Sequence, residues 1–530
     1  MRKSVLLISL ALYVCAATVV RAQRTRASTP TRPAAAQPAK MQPAATTPHP
    51  ALTPTPAPKA KADDCGCEVE TPPDVLAVVN GVKITSKEIE GSISDKVQEL
   101  QQSISEARKR ELTLQINSIL LEAEAKKRGM STSKLLEAEI VTKTTEPTEA
   151  DARAFYDQNR AKIGAEWSAD MKDQIVAYLR EQRQQEQAKK FADALRAAAQ
   201  VKLNVAEATP PATPAERARI FATVNGASVT SAMIEDTIKP LVYSVQMQVY
   251  KLRRQQLDMR INDILLEQEA QKRQVTTKSL LDSEITSQTK PVTEADARAF
   301  YDQNKERVNG DFTQLKAQIV EYLSEQQRQS LLGALAERLR RGTSIQNFLR
   351  EPTAPVYQIS TDDQPSRGAL NAPVTLIEFT DFQCPSCAAM QPVLERIAAE
   401  YGDQRVRLVV RDFPLQQHAN AFKAAEAAEA ARAQGKYWEY AKLLFTNQQS
   451  LDVAKLKEYA SQIGLDRVKF DALLDSGQLS QKVQSDLNEG NRVGVNATPS
   501  FFINGRPLEE RTYEGLKAMI DAALKEKGRG

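Results

Sequence analysis

Apolar and polar positions divide the 530-residue chain into four regimes. Met1-Arg2-Lys3 is a charged start, followed by an apolar run from Ser4 to Val20 and a small-residue end at Val20-Arg21-Ala22. That pattern predicts a secretory signal over residues 1–22, too short and wrongly flanked for a membrane span. Residues 23–62 are Pro, Ala, Thr and basic residues with no acid, so they cannot bury enough apolar surface to offset chain entropy. A disordered tether over 23–73 follows, either a plain spacer or a basic grip on an acidic envelope surface. The long middle has apolar residues at helical spacing, and the last 165 or so residues mix strand-like and helix-like runs.

The middle is a duplication. Thr148 to Asn159 recurs unchanged as Thr293 to Asn304, an offset of 145 residues (293 less 148). The same offset relates Val79-Asn80-Gly81 to Val224-Asn225-Gly226, and Ile116–Glu122 to Ile261–Glu267. The period is too long for a solenoid, so two modules are expected, 74–205 and 219–350. In each, apolar runs flank Asn-Gly, a hairpin signal. Thr85 with Glu88 forms a capping-box pattern at a helix start. Ile116, Ile119, Leu120 and Ala123 fall on one helical face, and Thr148 and Thr293 read as N-caps. Ile175, Tyr178 and Leu179 mark a last long helix.

The C-terminal region, 363–530, carries the chemistry. Val374–Phe379 reads as a buried strand and Ala388–Glu400 as a helix, with Cys384-Pro385-Ser386-Cys387 between them. Two thiols at this spacing can open and close a disulfide, and a helix N-terminus stabilises a thiolate on the first. The alternative, a zinc half-site, has as further ligands only Cys65, Cys67, His49 and His418 in the mature chain. Glu378 is an acid amid apolar residues, which is costly to bury. It is either a proton carrier for the cysteines or a strand-end acid that reaches water. Pro392 reads as a tolerated helix kink. Thr498-Pro499 before Ser500-Phe501-Phe502-Ile503-Asn504-Gly505 reads as a turn, a strand and a hairpin, with a candidate cis-proline. His418 reads as a loop or cap residue.

Asn371 to Cys387 together with Gly494 to Gly505 resemble the DsbA-like branch of the thioredoxin superfamily. The resemblance implies an α/β thioredoxin fold with a helical insertion at about 416–490. It implies Cys384 as nucleophile, Cys387 as resolving thiol, Glu378 as buried acid, and Thr498-Pro499 as the cis-proline substrate loop. Pro385 and Ser386 become the tuning positions. Strong oxidants of this branch have a histidine where Ser386 stands, so a very oxidising potential is not expected. The implied activity is a protein disulfide oxidoreductase, oxidase or isomerase. It needs no cofactor or metal beyond the Cys384–Cys387 disulfide, and a membrane quinone-linked thiol oxidase or reductase would be its redox partner.

The modules resemble the N-terminal chaperone domain of SurA, on Val78–Thr85, Ile116–Ala125 and the Thr148 helix start. That resemblance implies mainly α-helical modules that bind unfolded exported proteins. Spacers or a dimerisation stalk remain the alternative. A holdase chaperone or oligomeric scaffold with a secondary redox domain is therefore the competing function, and self-association is left open. Cys65-Gly66-Cys67 is either an accessory redox pair or a pair without a role. With 71 basic and 67 acidic residues the charge gives no case for nucleic acid. Localisation is expected to be periplasmic or otherwise exported, and soluble after cleavage. An uncleaved anchor is disfavoured, as is a lipoprotein, because Val14 precedes Cys15 where a small residue is needed.

Overall fold

The computed structural model describes Val69 and residues 71–164, 166–205, 207–305 and 310–528. The signal, the tether, His49 and the Cys65–Cys67 pair lie outside the described residues.

Each repeat opens with a hairpin, β1 (Val75–Val79) with β2 (Val82–Thr85), and later β4 (Ile220–Val224) with β5 (Ala227–Thr230). Asn80-Gly81 and Asn225-Gly226 all have positive φ, which the two-residue turn requires. A 42-residue helix follows each hairpin, α1 (Ser86–Lys127) and α4 (Ser231–Lys272). Thr85 and Glu88 close a reciprocal capping box at the start of α1. The second helical pair of the first repeat is α2 (Glu149–Ile163) and α3 (Ala169–Ala197), ending in β3 (Val201–Leu203). Its counterpart is α5 (Glu294–Asn304), α6 (Phe312–Arg340) and β6 (Ile345–Asn347). Thr148 and Thr293 cap α2 and α5 with Asp151 and Asp296.

The repeats exchange strands. β3, at the end of the first, pairs with β4 of the second, and β6, at the end of the second, pairs with β1 of the first. A division at 205/219 therefore separates stretches of chain but not packing units. A lone hairpin is marginal and leaves an edge unpaired, and each tail strand covers the other repeat's edge. One core runs through both, from Leu76, Ile84 and Ile116 to Phe221, Val224 and Ile261. Across the two long helices Arg108 pairs with Glu235 and Arg253 with Glu90, both at 2.6 Å. Each pair is the other moved by 145 residues, so the body has an internal two-fold relation.

The C-terminal domain has a five-stranded sheet in the order β11-β10-β8-β9-β7. Its strands are β7 (Ser366–Arg367), β8 (Val374–Thr380), β9 (Val406–Asp412), β10 (Ser500–Ile503) and β11 (Arg506–Pro507). β8 runs parallel to β9, joined by α7 (Pro385–Tyr401), and antiparallel to β10. Leu376 and Phe501 pack under α7 and the last helix, α13 (Tyr513–Lys527), while Ile377, Phe379 and Phe502 pack on the other face. Burial on both faces explains the nearly continuous apolar run of β8. Between β9 and β10 lie α8 (Ala421–Arg432), α9 (Tyr437–Thr446), α10 (Val453–Gln462), α11 (Arg467–Ser476) and α12 (Ser480–Arg492). Alanines of α8 let Tyr440, Leu456 and Phe470 close a separate core over Phe382 and Val410.

This domain sits on α4. At Gly494, φ +84°, a Cβ would come within 2.5 Å of the Cβ of Pro240, and Lys251 pairs with Glu509 at 3.0 Å. The first repeat has Asp95 and Glu106 at the positions of Pro240 and Lys251. Glu106 would meet Glu509 with like charge, so only the second repeat suits this contact.

Arg108 and Glu235 have side chains 4% and 2% exposed. Removing one partner from such a pair costs about 3–5 kcal/mol, because the other charge stays buried. Arg108→Met is expected to lose stability of that order in urea unfolding of the helical body. Arg108→Met with Glu235→Met should regain most of it. A single variant within about 0.5 kcal/mol of the parent would show that the pair does not hold the repeats together.

Candidate active site

Cys384 is the N-cap of α7, and Pro385 occupies the first helical position, where its missing N–H leaves no bond unmade. Both cysteines are free thiols, Cys384 6% exposed and Cys387 fully buried. Pro385 and Ser386 are exposed at the mouth of the helix, and Pro392 lies within α7. The Thr498–Pro499 peptide is cis, and the Thr498 carbonyl accepts from the Cys384 thiol at 3.3 Å. Ser500 pairs with Phe379, which brings this loop to the end of β8 from which Cys384 follows.

The donors around Cys384 favour its ionised form. The Cys387 thiol is the strongest, followed by the Thr498 side chain and the backbone N–H groups of Cys387 and Ser386; burial opposes them. Together they push the Cys384 thiol down to about 5. Cys387 moves the other way. Burial raises it most, its bond to Cys384 adds to this, and the nearby Glu378 carboxylate disfavours a second negative charge.

Glu378 lies mid-strand, 1% exposed, and does not reach water. It shares the α7-facing side of β8 with Leu376 and accepts from the Gln391 amide at 3.4 Å. Burial pushes its carboxyl up to about 7, and a charge on Cys384 adds to the rise. Cys384, Cys387 and Glu378 therefore form one buried set that favours a single negative charge, located on Cys384.

Asp381 is a site residue that carried no sequence signal beyond its place three residues before the thiol. It is buried and accepts from the N–H groups of Gln383 at 2.7 Å and Leu415 at 2.8 Å. His418, in the turn before α8, sets its Nδ1 2.7 Å from the same carboxylate. Gln391 and Gln448 were also missed, since a lone amide at helical spacing or in a turn has no sequence signature. Among the described residues no three His, Cys, Asp or Glu side chains come together as a metal site, and no helix is long and apolar enough to cross a membrane.

Residues 360–522 match a family model described as thioredoxin. That region has a thioredoxin-like α/β fold. The chain is 38% identical over 143 residues to an Na(+)/H(+) antiporter NhaA 1 of Mycolicibacterium gilvum, covering 26% of this chain and 23% of that protein. A Na(+)/H(+) antiporter NhaA 3 of Salinispora tropica is 38% identical over 177 residues, covering 32% and 27%. The chain thus spans about a quarter of the length of these curated relatives. Among solved structures, oxidised BdbD from Bacillus subtilis is similar at 24% identity with a TM-score of 0.31, covering 32% of this chain and 98% of that one. Alpha-DsbA1 of Wolbachia pipientis follows at 22% and 0.29, covering 32% and 94%.

A buried acid held up to about 7 favours its neutral form in the fold. Its contribution to stability is least unfavourable below about 4.5, worsens as pH rises to about 7, and is constant beyond. Glu378→Leu is therefore expected to be more stable than the parent above pH 7, by on the order of 3 kcal/mol, with the gain vanishing near pH 4. The same variant should slow disulfide exchange. Parallel stability curves for the two proteins between pH 4 and 8 would refute the placement of this acid.

Proposed function

We propose that the chain is an exported thiol–disulfide oxidoreductase that forms or shuffles disulfides in client proteins. The observation that carries this reading is Cys384 at the mouth of α7, its sulfur against the Thr498 carbonyl and depressed to about 5. In the oxidised enzyme a client thiolate attacks the Cys384 sulfur. The Cys384–Cys387 bond breaks, and Cys387 leaves as a thiolate that takes a proton by way of Glu378. A second client thiol, losing its proton, attacks the client sulfur of the mixed disulfide and expels Cys384 as a stabilised thiolate. The client is oxidised by two electrons and the cysteine pair reduced. A membrane quinone-linked thiol oxidase is the class of partner that would restore the disulfide. As an isomerase, reduced Cys384 attacks a wrong client disulfide, and no net electrons move.

The depression of Cys384 to about 5 lies between roughly 3.5 for DsbA and about 7 for thioredoxin. Because Ser386 places no charge beside the thiolate, a potential between about −120 and −270 mV is expected, which suits an enzyme that oxidises or shuffles according to its partner. Ser386 contributes an N–H but no charge.

The helical repeats are the client-holding part of this proposal, in the manner of SurA. Tyr178, Leu203, Ile220 and Met259 are large apolar side chains left exposed on them, and a client-holding role would draw on such side chains. A holdase with a secondary redox domain uses the same surface, and the cysteines separate the two readings.

Cys384→Ser is expected to abolish refolding of a reduced, denatured client and reduction of insulin. The protein lacking both cysteines should still delay aggregation of that client. Full refolding activity without Cys384 would remove the redox assignment. Loss of aggregation delay in the parent would remove client holding. Separately, Ser386→His should lower the Cys384 titration further and make the disulfide more oxidising in glutathione equilibration. Parent values for both would show that Ser386 does not tune the site.

A further inference from the structure

The loop that delivers the sulfur, Asp381–Cys384, is gripped residue by residue from the helical insertion and the segment leading into it. Asp381 is held by Leu415 and His418. The Gln383 side chain accepts from the Asn420 N–H at 2.6 Å. The Phe382 ring packs on Phe445 of α9 at 5.0 Å between centroids. The backbone carbonyls of Phe382 and Cys384 are held as well. Both accept from Nε2 of Gln448, at 2.9 Å each.

We propose that Gln448 is a positioning residue for disulfide exchange, fixing the Cys384 backbone so that its sulfur stays over the N–H groups of Ser386 and Cys387. The inference rests on the thiol–disulfide reading of the site. An amide nitrogen carries two hydrogens, and here each has its own carbonyl. The Cys384 carbonyl also accepts the first bonds of α7, from Cys387 at 3.1 Å and Ala388 at 3.2 Å. Cys384 caps this helix without a side-chain bond, so its peptide orientation depends on what its carbonyl touches. Rotating that carbonyl moves the sulfur relative to the N–H groups ahead of it. Gln448 sits in the turn after α9, and the insertion core buries Tyr440 and Leu444 of that helix. The packing of the insertion thus reaches the nucleophile through one side chain.

The experiment uses the full chain and three variants. Gln448→Met keeps the volume and removes both donors. Gln448→Asn keeps the amide on a shorter stem. Phe445→Leu loosens the ring contact with Phe382 but leaves both hydrogen bonds. Thiolate absorbance gives the Cys384 titration, glutathione equilibration the potential, and thermal unfolding the Tm. Gln448→Met is expected to raise the Cys384 titration by about one pH unit or more and make the disulfide less oxidising. Gln448→Asn should fall between it and the parent. Phe445→Leu should lower the Tm and leave the titration in place. A folded Gln448→Met with the parent's titration and potential overturns the proposal, as does a change in Tm alone. Should that variant not fold, the Asn variant decides by the same two readouts. Titration is measured without a client, so the two readings fail separately. A parent with no exchange but a Gln448-dependent titration removes the enzymatic reading alone. An active parent whose titration ignores Gln448 removes the positioning alone.

Discussion

A single negative charge shared among three buried acids is the constraint on which the site depends. Cys384 and Cys387 form the start of α7 and Glu378 lies on the strand beneath it, and water reaches none of them freely. Ionising two at once places like charges together in a low dielectric, so the donors decide where the one charge resides. They converge on Cys384: the Cys387 thiol, Thr498, and two N–H groups at the start of α7. Cys387 is kept neutral by the same geometry that ionises Cys384. A thiol kept neutral cannot attack until its proton leaves, and Glu378 stands beside it with a carboxyl poised near 7. The low titration of one cysteine and the high titration of the other are therefore one property of the set.

That constraint gives the surrounding architecture a reason. A parallel β8-α7-β9 unit delivers a helix N-terminus to the end of a buried strand, and β10 brings Thr498 to the same edge. Neither element alone holds the sulfur. The short loop between β8 and α7 is closed by the Cys384 N–H on the Asp381 carbonyl at 3.1 Å, and side chains or carbonyls of all four residues are also met by groups from residues 415–448. The insertion has its own alanine-lined core over Phe382 and Val410. It stiffens the loop from outside, much as a second layer of bonds fixes a catalytic group elsewhere.

Much of this was legible in the sequence, and the division is physical. Elements written in local chemistry were readable: the Asn-Gly turns need positive φ, Thr85 with Glu88 satisfies its own helix start, and Val374–Phe379 is apolar because both faces are covered. Cys384 and Glu378 were readable because a thiol pair before a helix and a lone acid in a strand are rare patterns. Gln448, Gln391 and the Asp381–His418 pair were not, since an amide or a carboxylate acquires its meaning only from what lies across the fold. The exchange of β3 and β6 between the repeats was hidden for the same reason. A three-residue strand carries no pairing information, and the 145-residue offset is equally compatible with separate or interlocked modules.

The interlocked body bears on the placement of chemistry. Two nearly symmetric repeats offer two equivalent helix faces, yet one redox domain has to choose. Pro240 and Lys251 on α4 meet Gly494 and Glu509, whereas Asp95 and Glu106 stand at the matching places on α1. The core residues and the paired charges across the long helices kept their symmetry, because each repeat depends on the other for its third strand. The outward face was free to diverge, and in the second repeat it holds a single orientation of the cysteine site. Surface ion pairs of this kind are weak, about 0–1 kcal/mol. The absence of room beside Gly494 is the stronger restraint, since a close backbone approach tolerates one arrangement and excludes its neighbours.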